Sequence, residues 1–498
     1  MPALKDPDHR TFRDPAGSVV LRKDGVFRTV HPAYSSETLR FLKHPLLLRL
    51  VADGRVIATE ILTLKNINGQ TISLDPDTDE PRDVASENPA GTLLLRHPRV
   101  PFISYPCEWP PSLWQAAAHL TLNLATDLLQ AGFVLKDATP LNVLFQGTTP
   151  VFIDILSVEQ ADPTQTLWLA YGQFVRTFLL PMLAHVQLGW PLYTALMRRD
   201  GYEPEEIYPA LPWTARLRQP ALSAVTLPSL LARRAAANDE STQAQTSSPA
   251  PKPPFSRDPE LTRHVLRKTF DRLRRQMRRV APAPRSSTWS GYAATAHHYS
   301  EAEHAEKRRF VAETLVRCQP VHVLDVGCNT GVYSRLAAAA GASVVAIDTD
   351  LEAVDTLARL VSSATEAQDI LPLCVDLSHP TPAAGWENLE SSSFLARSEG
   401  HFDTVMMLAV LHHLLLNSQI PLERIAALAS RITTLNLILE WVPPTDAKFR
   451  QLLRGREAIY THLTEAAFRS AFKERFSVVR ELALDNGRIP FHFQKALG

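Results

Sequence analysis

The stretch from Val321 to Asp350 constrains the fold of this chain most, because it predicts a strand, a tight turn, a helix and a second strand in close succession. The apolar run at its start has the length and composition of a strand buried on both faces of a sheet. Gly327 and Gly331 bracket the turn, and the second strand ends at Asp348. The sequence therefore predicts an α/β architecture around a parallel sheet.

The same stretch predicts a crevice for a nucleoside. Gly327 has no Cβ, so the backbone can approach a ligand closely at the end of the first strand. The following helix presents free N–H groups and the positive end of its dipole. Asp348 lies 21 residues after Gly327 and can accept hydrogen bonds from both hydroxyls of a ribose.

The spacing of the glycines argues against a dinucleotide. A dinucleotide fingerprint needs glycines at relative positions one, three and six, whereas position three here is Asn329. Asp325 would repel a pyrophosphate but suits a cationic sulfonium or amino group. This arrangement resembles motif I of the class I S-adenosylmethionine (SAM) methyltransferases. The resemblance implies SAM as cofactor, bound by Asp325, Gly327, Cys328, Asn329, Gly331, Asp348 and Thr349.

The remaining C-terminal segments continue the resemblance at the expected spacing. A third strand ends at Asp376, and Asp376 with Leu377 occupies the place where this family reads the adenine amino group, although an Asp at a strand end is also a common helix cap. A fourth strand, HFDTVMMLAVLHHL, and a fifth, TLNLILEWV, follow. Two final strands around Asn486-Gly487 predict an antiparallel hairpin with a type I′ turn. The family implies a Rossmann-like sheet of seven strands that ends in this hairpin.

Methyl transfer from SAM needs a protein that aligns the acceptor atom with the methyl group. Where the acceptor carries a proton, it also needs a base that removes this proton. His412 and His413 follow the fourth strand, at the end where the resemblance places the methyl group, and are candidate bases; the alternative is that they pack beneath the cofactor. Glu440, at the end of the fifth strand, is a second candidate base. Tyr299 precedes the first strand and either covers the sulfonium by cation–π attraction or packs on the sheet.

Two absent signatures narrow the acceptor class. The fourth strand lacks the Asn/Asp-Pro-Pro-aromatic signature of adenine and glutamine methylation, and no cysteine stands where cytosine methylation needs a nucleophile. We therefore expect methylation of oxygen or carbon on a small-molecule, glycan or lipid-like acceptor. A SAM-binding module without catalysis is the alternative.

A second stretch, FVLKDATPLNVLFQGTTPVFIDILS, resembles the catalytic core of protein kinases and small-molecule phosphotransferases. Asp137, Asn142 and Asp154 match the family's catalytic Asp, metal-binding Asn and second metal-binding Asp in spacing. No glycine-rich phosphate loop precedes them, and Lys65, the nearest lysine, falls after a strand rather than within it. Three hypotheses follow: a scaffold that has lost phosphoryl transfer, a nucleotide-binding module without chemistry, and an active kinase in a bifunctional enzyme.

Shorter patterns predict the local elements of the N-terminal part. We expect a hairpin over residues 17–31, a helix over Ser36 to Lys43, a strand pair around Leu48–Val51 and Val56–Leu62, and a helix over Ser112 to Ala131.

The length of 498 residues favours two domains and a connector. We predict a kinase-like α+β domain at 1–234, a flexible linker at 235–260, a basic amphipathic helix at 261–285 and the methyltransferase domain at 286–498. The linker is rich in Ser, Pro and Gln and nearly devoid of apolar residues.

The predicted basic helix carries one apolar stripe and eight Arg or Lys residues between 261 and 279. Its stripe consists of Leu266, Phe270, Leu273, Met277 and Val280. The simplest interpretation is a helix docked by this stripe with a solvated basic face. Binding of an anionic membrane surface or of nucleic acid is possible from the charge but not favoured.

Composition sets the remaining bounds. The 52 basic and 52 acidic residues cancel, so bulk charge argues neither for nor against a nucleic-acid partner. The N-terminus has no signal-peptide pattern, and the most apolar stretch, 178–197, is interrupted by proline and polar residues, so we expect no transmembrane helix. The four cysteines show neither CxxC spacing nor a metal-ligand pattern, which predicts a cytoplasmic protein without a metal.

Overall fold

The computed structural model describes residues 13–22, 25–62, 72–74, 81–83, 93–196, 200–241, 258–283, 300–453 and 455–496. It divides into two compact units. The N-terminal unit comprises residues 1–101, 114–144 and 150–282, and the C-terminal unit comprises residues 102–113, 145–149 and 283–498.

The strands up to Pro282 form small antiparallel sheets. Strands β1 to β10 span Gly17–Arg22, Gly25–Val30, Glu60–Leu62, Ile72–Leu74, Pro81–Asp83, Leu93–His97, Phe133–Leu135, Val143–Gln146, Thr149–Phe152 and Val158–Gln160. The largest sheet has the order β1-β2-β6-β3, and β7 with β10, β8 with β9, and β4 with β5 form pairs.

Helices make up most of the rest of this part of the chain. The α-helices are Pro32–Leu42, Pro45–Ala52, Pro111–Gln130, Tyr171–Phe174, Leu180–Leu188, Leu192–Leu196, Pro204–Ile207, Trp213–Arg216, Leu227–Ser241 and Pro259–Arg279. Two π-helical turns, Val175–Leu179 and Leu222–Thr226, continue neighbouring helices.

The predicted strand at Leu48–Val51 is wrong, because these residues lie in the helix Pro45–Ala52. His44 caps that helix by accepting the N–H of Leu46 at 3.2 Å, and proline occupies its first turn, where no N–H is needed. The predicted hairpin is present as β1 and β2, with Arg22 opposite Gly25.

The basic helix is Pro259–Arg279, and its predicted stripe is buried in the N-terminal unit. Phe270 packs edge-on against Trp168, with ring centroids 5.0 Å apart. The helix Leu227–Ser241 continues six residues beyond 235, where we expected the linker to begin, and residues 242–257 of that linker lie outside the described residues.

The C-terminal unit contains the predicted seven-stranded sheet. Strands β11 to β17 span His322–Val326, Ser343–Asp348, Ile370–Cys374, Phe402–Met407, Thr433–Trp441, Phe476–Glu481 and Ile489–Lys495. Their order is β13-β12-β11-β14-β15-β17-β16. Strands β11 to β15 pair in parallel, whereas β17 is antiparallel to both of its neighbours. The carboxyl ends of the parallel strands therefore meet at one edge, on both sides of the point where the strand order reverses between β11 and β14.

Helices accompany this sheet and bury its strands. They are Glu301–Cys318, Val332–Ala339, Leu351–Ser362, Phe394–Ser398, Leu411–Leu416, Leu422–Ile432, Ala447–Leu453 and Glu465–Lys473. Side chains from the first three pack with residues of β11 and β12, including Val323 and Val344, in one apolar core.

The terminal hairpin is present, but its turn is not the predicted type I′. A type I′ turn needs positive φ at both central residues, and Gly487 has φ +81° whereas Asn486 is not among the residues with positive φ. Leu484 and Arg488 instead close a three-residue loop with glycine in its last position.

No helix in the described part of the chain is both long enough and apolar enough to cross a membrane.

Candidate active site

The glycine turn after β11 has the conformation that the sequence predicts. Gly327 and Gly331 have φ +72° and +80°. The N–H of Gly327 donates to the carbonyl of Ile347 at 2.8 Å, which ties the turn to β12. A Cβ at Gly327 would lie 2.3 Å from Cγ2 of Val410, so this position accepts only glycine without rearrangement.

Asp348 is joined to the same turn by backbone hydrogen bonds. One carboxylate oxygen accepts the N–H of Asn329 at 2.9 Å and the other accepts the N–H of Asp350 at 3.0 Å. Burial raises the pKa of Asp348, and these two N–H groups partly offset the effect. The acid is thus held in a fixed orientation beside the glycine turn.

Asp325 is buried within the strand end that precedes the turn. It is 2% exposed, and Oδ2 accepts a hydrogen bond from the hydroxyl of Ser334 at 2.6 Å. Burial raises the pKa of Asp325 to about 7, against the effect of the Ser334 hydrogen bond. A cation bound beside this carboxyl would favour its ionised form.

The predicted adenosine-binding residues after β12 and β13 differ in their exposure to solvent. Thr349 is exposed and Leu377 is buried. Asp376 accepts hydrogen bonds from the N–H and the hydroxyl of Ser378 at 2.7 and 2.6 Å, so one of its oxygens caps the turn that follows. The pairing of Asp348 with Cys374 nevertheless places both strand ends side by side.

His412 and His413 begin the helix after β14, with ring centroids 4.3 Å apart. His412 is 2% exposed, and its Nδ1 has no hydrogen-bond partner within the described residues. Burial lowers the pKa of His412 well below its usual value, and the neighbouring groups His413, Arg488 and Lys448 act in the same direction. His413 is half-buried, and its pKa is lowered to about 4, mainly by burial. Both imidazoles are therefore neutral at physiological pH.

The backbone before His412 is strained. Ala409 has φ +56°, a conformation that costs a residue with a side chain about 1–3 kcal/mol. The next residue, Val410, supplies the methyl group that faces Gly327. The strained loop therefore places a side chain directly over the glycine turn.

Glu440, at the end of β15, is fully buried and forms an ion pair with Lys307. Lys307 Nζ lies 2.7 Å from Oε2 of Glu440. Burial lowers the pKa of Lys307, and Glu440 opposes this shift. The Lys307 ammonium also lies over the ring of Tyr333, 5.3 Å from its centroid.

A second buried ion pair, between Arg488 and Asp446, belongs to the same region. Arg488 Nε donates to Oδ2 of Asp446 at 2.9 Å, and both side chains are nearly inaccessible to solvent. Burial lowers the pKa of His304, and the charges of Lys307 and Arg488, one from each pair, act in the same direction. The candidate site is thus a set of neutralised charges at the carboxyl end of the sheet.

The sequence predicted the acids and glycines of this site but missed Lys307 and Tyr333. The signal for Lys307 is the helical spacing of Glu303, Lys307, Phe310 and Thr314, which are all buried on one face. Tyr299, the predicted cofactor-covering aromatic, lies outside the described residues.

The kinase-like residues of the N-terminal unit form a separate polar cluster. Asp154 pairs with Arg28, with Nη1 2.6 Å from Oδ1, and also accepts a hydrogen bond from Ser157. Asn142 donates to the same Ser157 hydroxyl at 3.2 Å. Burial would raise the pKa of Asp154, but Arg28 and the hydrogen bonds outweigh it and lower the pKa.

Arg28 was also missed by the sequence analysis, since its partner lies 126 residues away. Burial, and then the charge of Asp154, raises the pKa of Asp137. Within the described residues, no group of three or more His, Cys, Asp or Glu side chains is arranged to hold a metal ion.

Comparison with protein families identifies the C-terminal part of the chain. Residues 267–473 match the family model described as a methyltransferase domain. This match bears out the predicted methyltransferase class for that part of the chain.

The chain is also similar to individual proteins and solved structures. The chain is 29% identical over 475 residues to nodulation protein NoeA of Rhizobium meliloti (strain 1021), covering 95% of this chain and 92% of that protein. Magnesium protoporphyrin IX methyltransferase from Synechocystis PCC 6803, solved with bound SAM, is 19% identical with a TM-score of 0.29, over 41% of this chain and 91% of that one. The bifunctional kinase-methyltransferase WbdD is 20% identical with a TM-score of 0.28, over 36% and 38% of the two chains.

Proposed function

We propose that this chain is a SAM-dependent methyltransferase that transfers a methyl group to an oxygen or carbon atom of a small-molecule, glycan or lipid-like acceptor. The observation that carries the proposal is the unpartnered Nδ1 of buried His412, beside the glycine turn and the Lys307–Glu440 pair. Buried polar atoms without a hydrogen-bond partner are rare in proteins. This nitrogen therefore indicates a site where a bound ligand supplies the missing hydrogen bond.

The residues at the glycine turn fit the SAM cofactor. Asp325 offers a buried carboxyl for the ammonium group, Asp348 offers carboxylate oxygens for the ribose, and Gly327 allows close approach of the backbone. The cofactor supplies an electrophilic methyl group when bound. In this proposal Asp376, Leu377 and Thr349 contact the adenosine part, and Cys328, Asn329 and Gly331 shape the turn.

The chain's own contribution is orientation, exclusion of water and acceptance of a proton. Neutral His412 can accept a hydrogen bond from an acceptor hydroxyl through Nδ1. Its lowered pKa makes it a weak base, so we assign it the role of orienting the acceptor. Glu440 remains the candidate proton acceptor, with Lys307 holding its carboxylate in place.

The alternative of a bifunctional kinase and methyltransferase receives less support from the N-terminal unit. Arg28 and Ser157 already bind the Asp154 carboxylate, and Asn142 donates to Ser157. A divalent cation would need these oxygens. We therefore propose that the kinase-like unit does not transfer phosphate. The four free cysteines favour the predicted cytoplasmic location.

Incubation with methyl-labelled SAM and a fractionated cell extract tests the proposed acceptor class. We expect label in the small-molecule, oligosaccharide or lipid fraction, and none in protein or nucleic acid. His412→Gln should lower incorporation at least about tenfold, the equivalent of one hydrogen bond, while SAM affinity stays unchanged. His413→Gln is the matched control, because His413 already contacts Asn417. Label in protein, or transfer unaffected by His412→Gln, would contradict the proposal.

A further inference from the structure

A second surface of interest lies in the N-terminal unit, where apolar side chains are exposed beside a row of basic ones. Trp213 is 73% exposed, Leu217 is 63% exposed and Leu231 is 63% exposed. Leu227 and Leu230 are also exposed, so Leu227, Leu230 and Leu231 form an apolar row on the helix Leu227–Ser241. We call these five residues the leucine–tryptophan patch.

Basic residues lie close to this patch in the sequence. Residues 207–238 contain Arg216, Arg218, Arg233 and Arg234 and no acidic residue, whereas Glu203, Glu205 and Glu206 precede this stretch and Asp239 and Glu240 follow it. The helix Pro259–Arg279 adds eight basic residues against two acidic ones, and Arg263, Arg267, Lys268, Arg275, Arg278 and Arg279 are exposed. The exposed face of this helix is therefore cationic, although the whole chain carries no net charge.

Hydrogen bonds connect the basic helix to the patch. Gln276, near the end of the basic helix, donates to Ser223 Oγ at 2.7 Å. Thr226, three residues after Ser223, donates to the carbonyl of Arg216 at 2.8 Å. The segment that connects Trp213 with the apolar row is therefore in contact with the C-terminal end of the basic helix.

The two helices expose different kinds of side chain, and this difference indicates the kind of partner. The stripe of the basic helix is buried, with Leu273 and Met277 fully inaccessible, so that helix supplies mainly charge, with Leu261 exposed near its start. The patch supplies the apolar contact. Leucine and tryptophan flanked by arginine suit the boundary between lipid headgroups and acyl chains, where arginine attracts anionic lipids.

We propose that the leucine–tryptophan patch and the basic helix bind the surface of an anionic lipid bilayer. The contact is peripheral: the leucine row and Trp213 enter the headgroup region, and the exposed arginines contact lipid phosphates. Nucleic acid would contact the arginines through its phosphates but would leave the leucine row without an apolar partner. A second copy of this chain would bring two cationic surfaces together and be repelled.

Sedimentation of the full-length protein with lipid vesicles tests this proposal. We expect binding to vesicles of phosphatidylcholine and phosphatidylglycerol at about three to one, at least about tenfold tighter than to phosphatidylcholine alone. Binding should fall steeply between about 0.1 M and 0.5 M salt, since screening weakens the charge contribution.

Two variants separate the contributions of the surface. Leu230→Ser with Leu231→Ser should weaken vesicle binding at all salt concentrations, whereas Arg275→Glu with Arg278→Glu should abolish the preference for anionic lipid. The matched control is Leu435→Ser with Arg424→Glu, which changes an exposed leucine and an exposed arginine of the C-terminal unit. Thermal melting verifies that every variant is folded.

Three results would overturn the proposal. The first is equal binding to neutral and anionic vesicles, or no binding to either. The second is retention of a DNA or RNA duplex by the arginines without vesicle binding, which would assign the surface to nucleic acid. The third is self-association in sedimentation velocity that the leucine substitutions abolish, which would assign the patch to a dimer.

Discussion

Lys307 and Glu440 form a buried ion pair at 2.7 Å between the helix Glu301–Cys318 and the end of β15. Neither side chain is more than 4% exposed. Burying two charges is costly even when they are paired, and such pairs contribute little net stability. Their presence at the carboxyl end of the parallel strands is therefore better explained by a role in the proposed site.

The ion pair makes a clear prediction about stability. Glu440→Gln or Lys307→Met alone should lower the free energy of unfolding by about 3–5 kcal/mol, because each leaves one buried charge without its partner. The double variant Lys307→Met/Glu440→Gln should recover most of that loss. A double-mutant cycle by urea denaturation measures the coupling; additive effects of the two substitutions would contradict the direct pair.

The glycine turn predicts a position-specific effect of one methyl group. Gly327→Ala should lower the free energy of unfolding by about 2–5 kcal/mol, from positive φ and from contact with Val410. Gly341→Ala is the matched control, because Gly341 also has positive φ but a Cβ there meets nothing within 4 Å. Equal losses for the two variants in urea denaturation would show that the contact with Val410 is unimportant.

Asp325 predicts a pH dependence whose sign follows from its raised pKa. Folding favours the protonated carboxyl, so its contribution to stability is complete below the unfolded pKa near 4 and is lost as pH rises through about 7. The change from 3.8 to about 7 corresponds to a loss of about 4 kcal/mol. Asp325→Asn should remove this slope. Urea unfolding between about pH 4 and pH 8 tests it, and identical slopes for the two proteins would contradict the assignment.

The Arg28–Asp154 pair predicts that the kinase-like cluster is structural. Arg28→Ala or Asp154→Ala should lower the melting temperature, since each leaves a partly buried charge unpaired. Neither variant nor the wild type should bind Mg-ATP in calorimetric titration. Binding by the wild type that Asp154→Ala abolishes would restore the bifunctional hypothesis.

The sequence was sufficient to predict the elements whose geometry is fixed over a short span of chain. Asp325, Gly327 and Asp348 fall within one strand–turn–helix–strand unit, so their spacing determines that they meet at neighbouring strand ends. The short apolar run at Leu48–Val51 was ambiguous between strand and helix, and the capping residue His44 with Pro45 held the decisive signal.

Residues whose role depends on a partner far away in the sequence could not be predicted from local spacing. Lys307 is significant because of Glu440, which lies 133 residues away, and Arg28 because of Asp154. The turn at Asn486 was predicted as type I′ because the dipeptide preference does not encode loop length. That length is set by the pairing of β16 with β17.

Calorimetric titration of SAM into the wild type, Asp348→Ala and the control Asp154→Ala tests the central claim most directly. We predict that SAM binds, that Asp348→Ala weakens binding by about 2–4 kcal/mol through loss of two hydrogen bonds to a charged group, and that Asp154→Ala has no effect. If SAM does not bind, or binds equally well without the Asp348 carboxylate, the cofactor site proposed at the glycine turn is wrong.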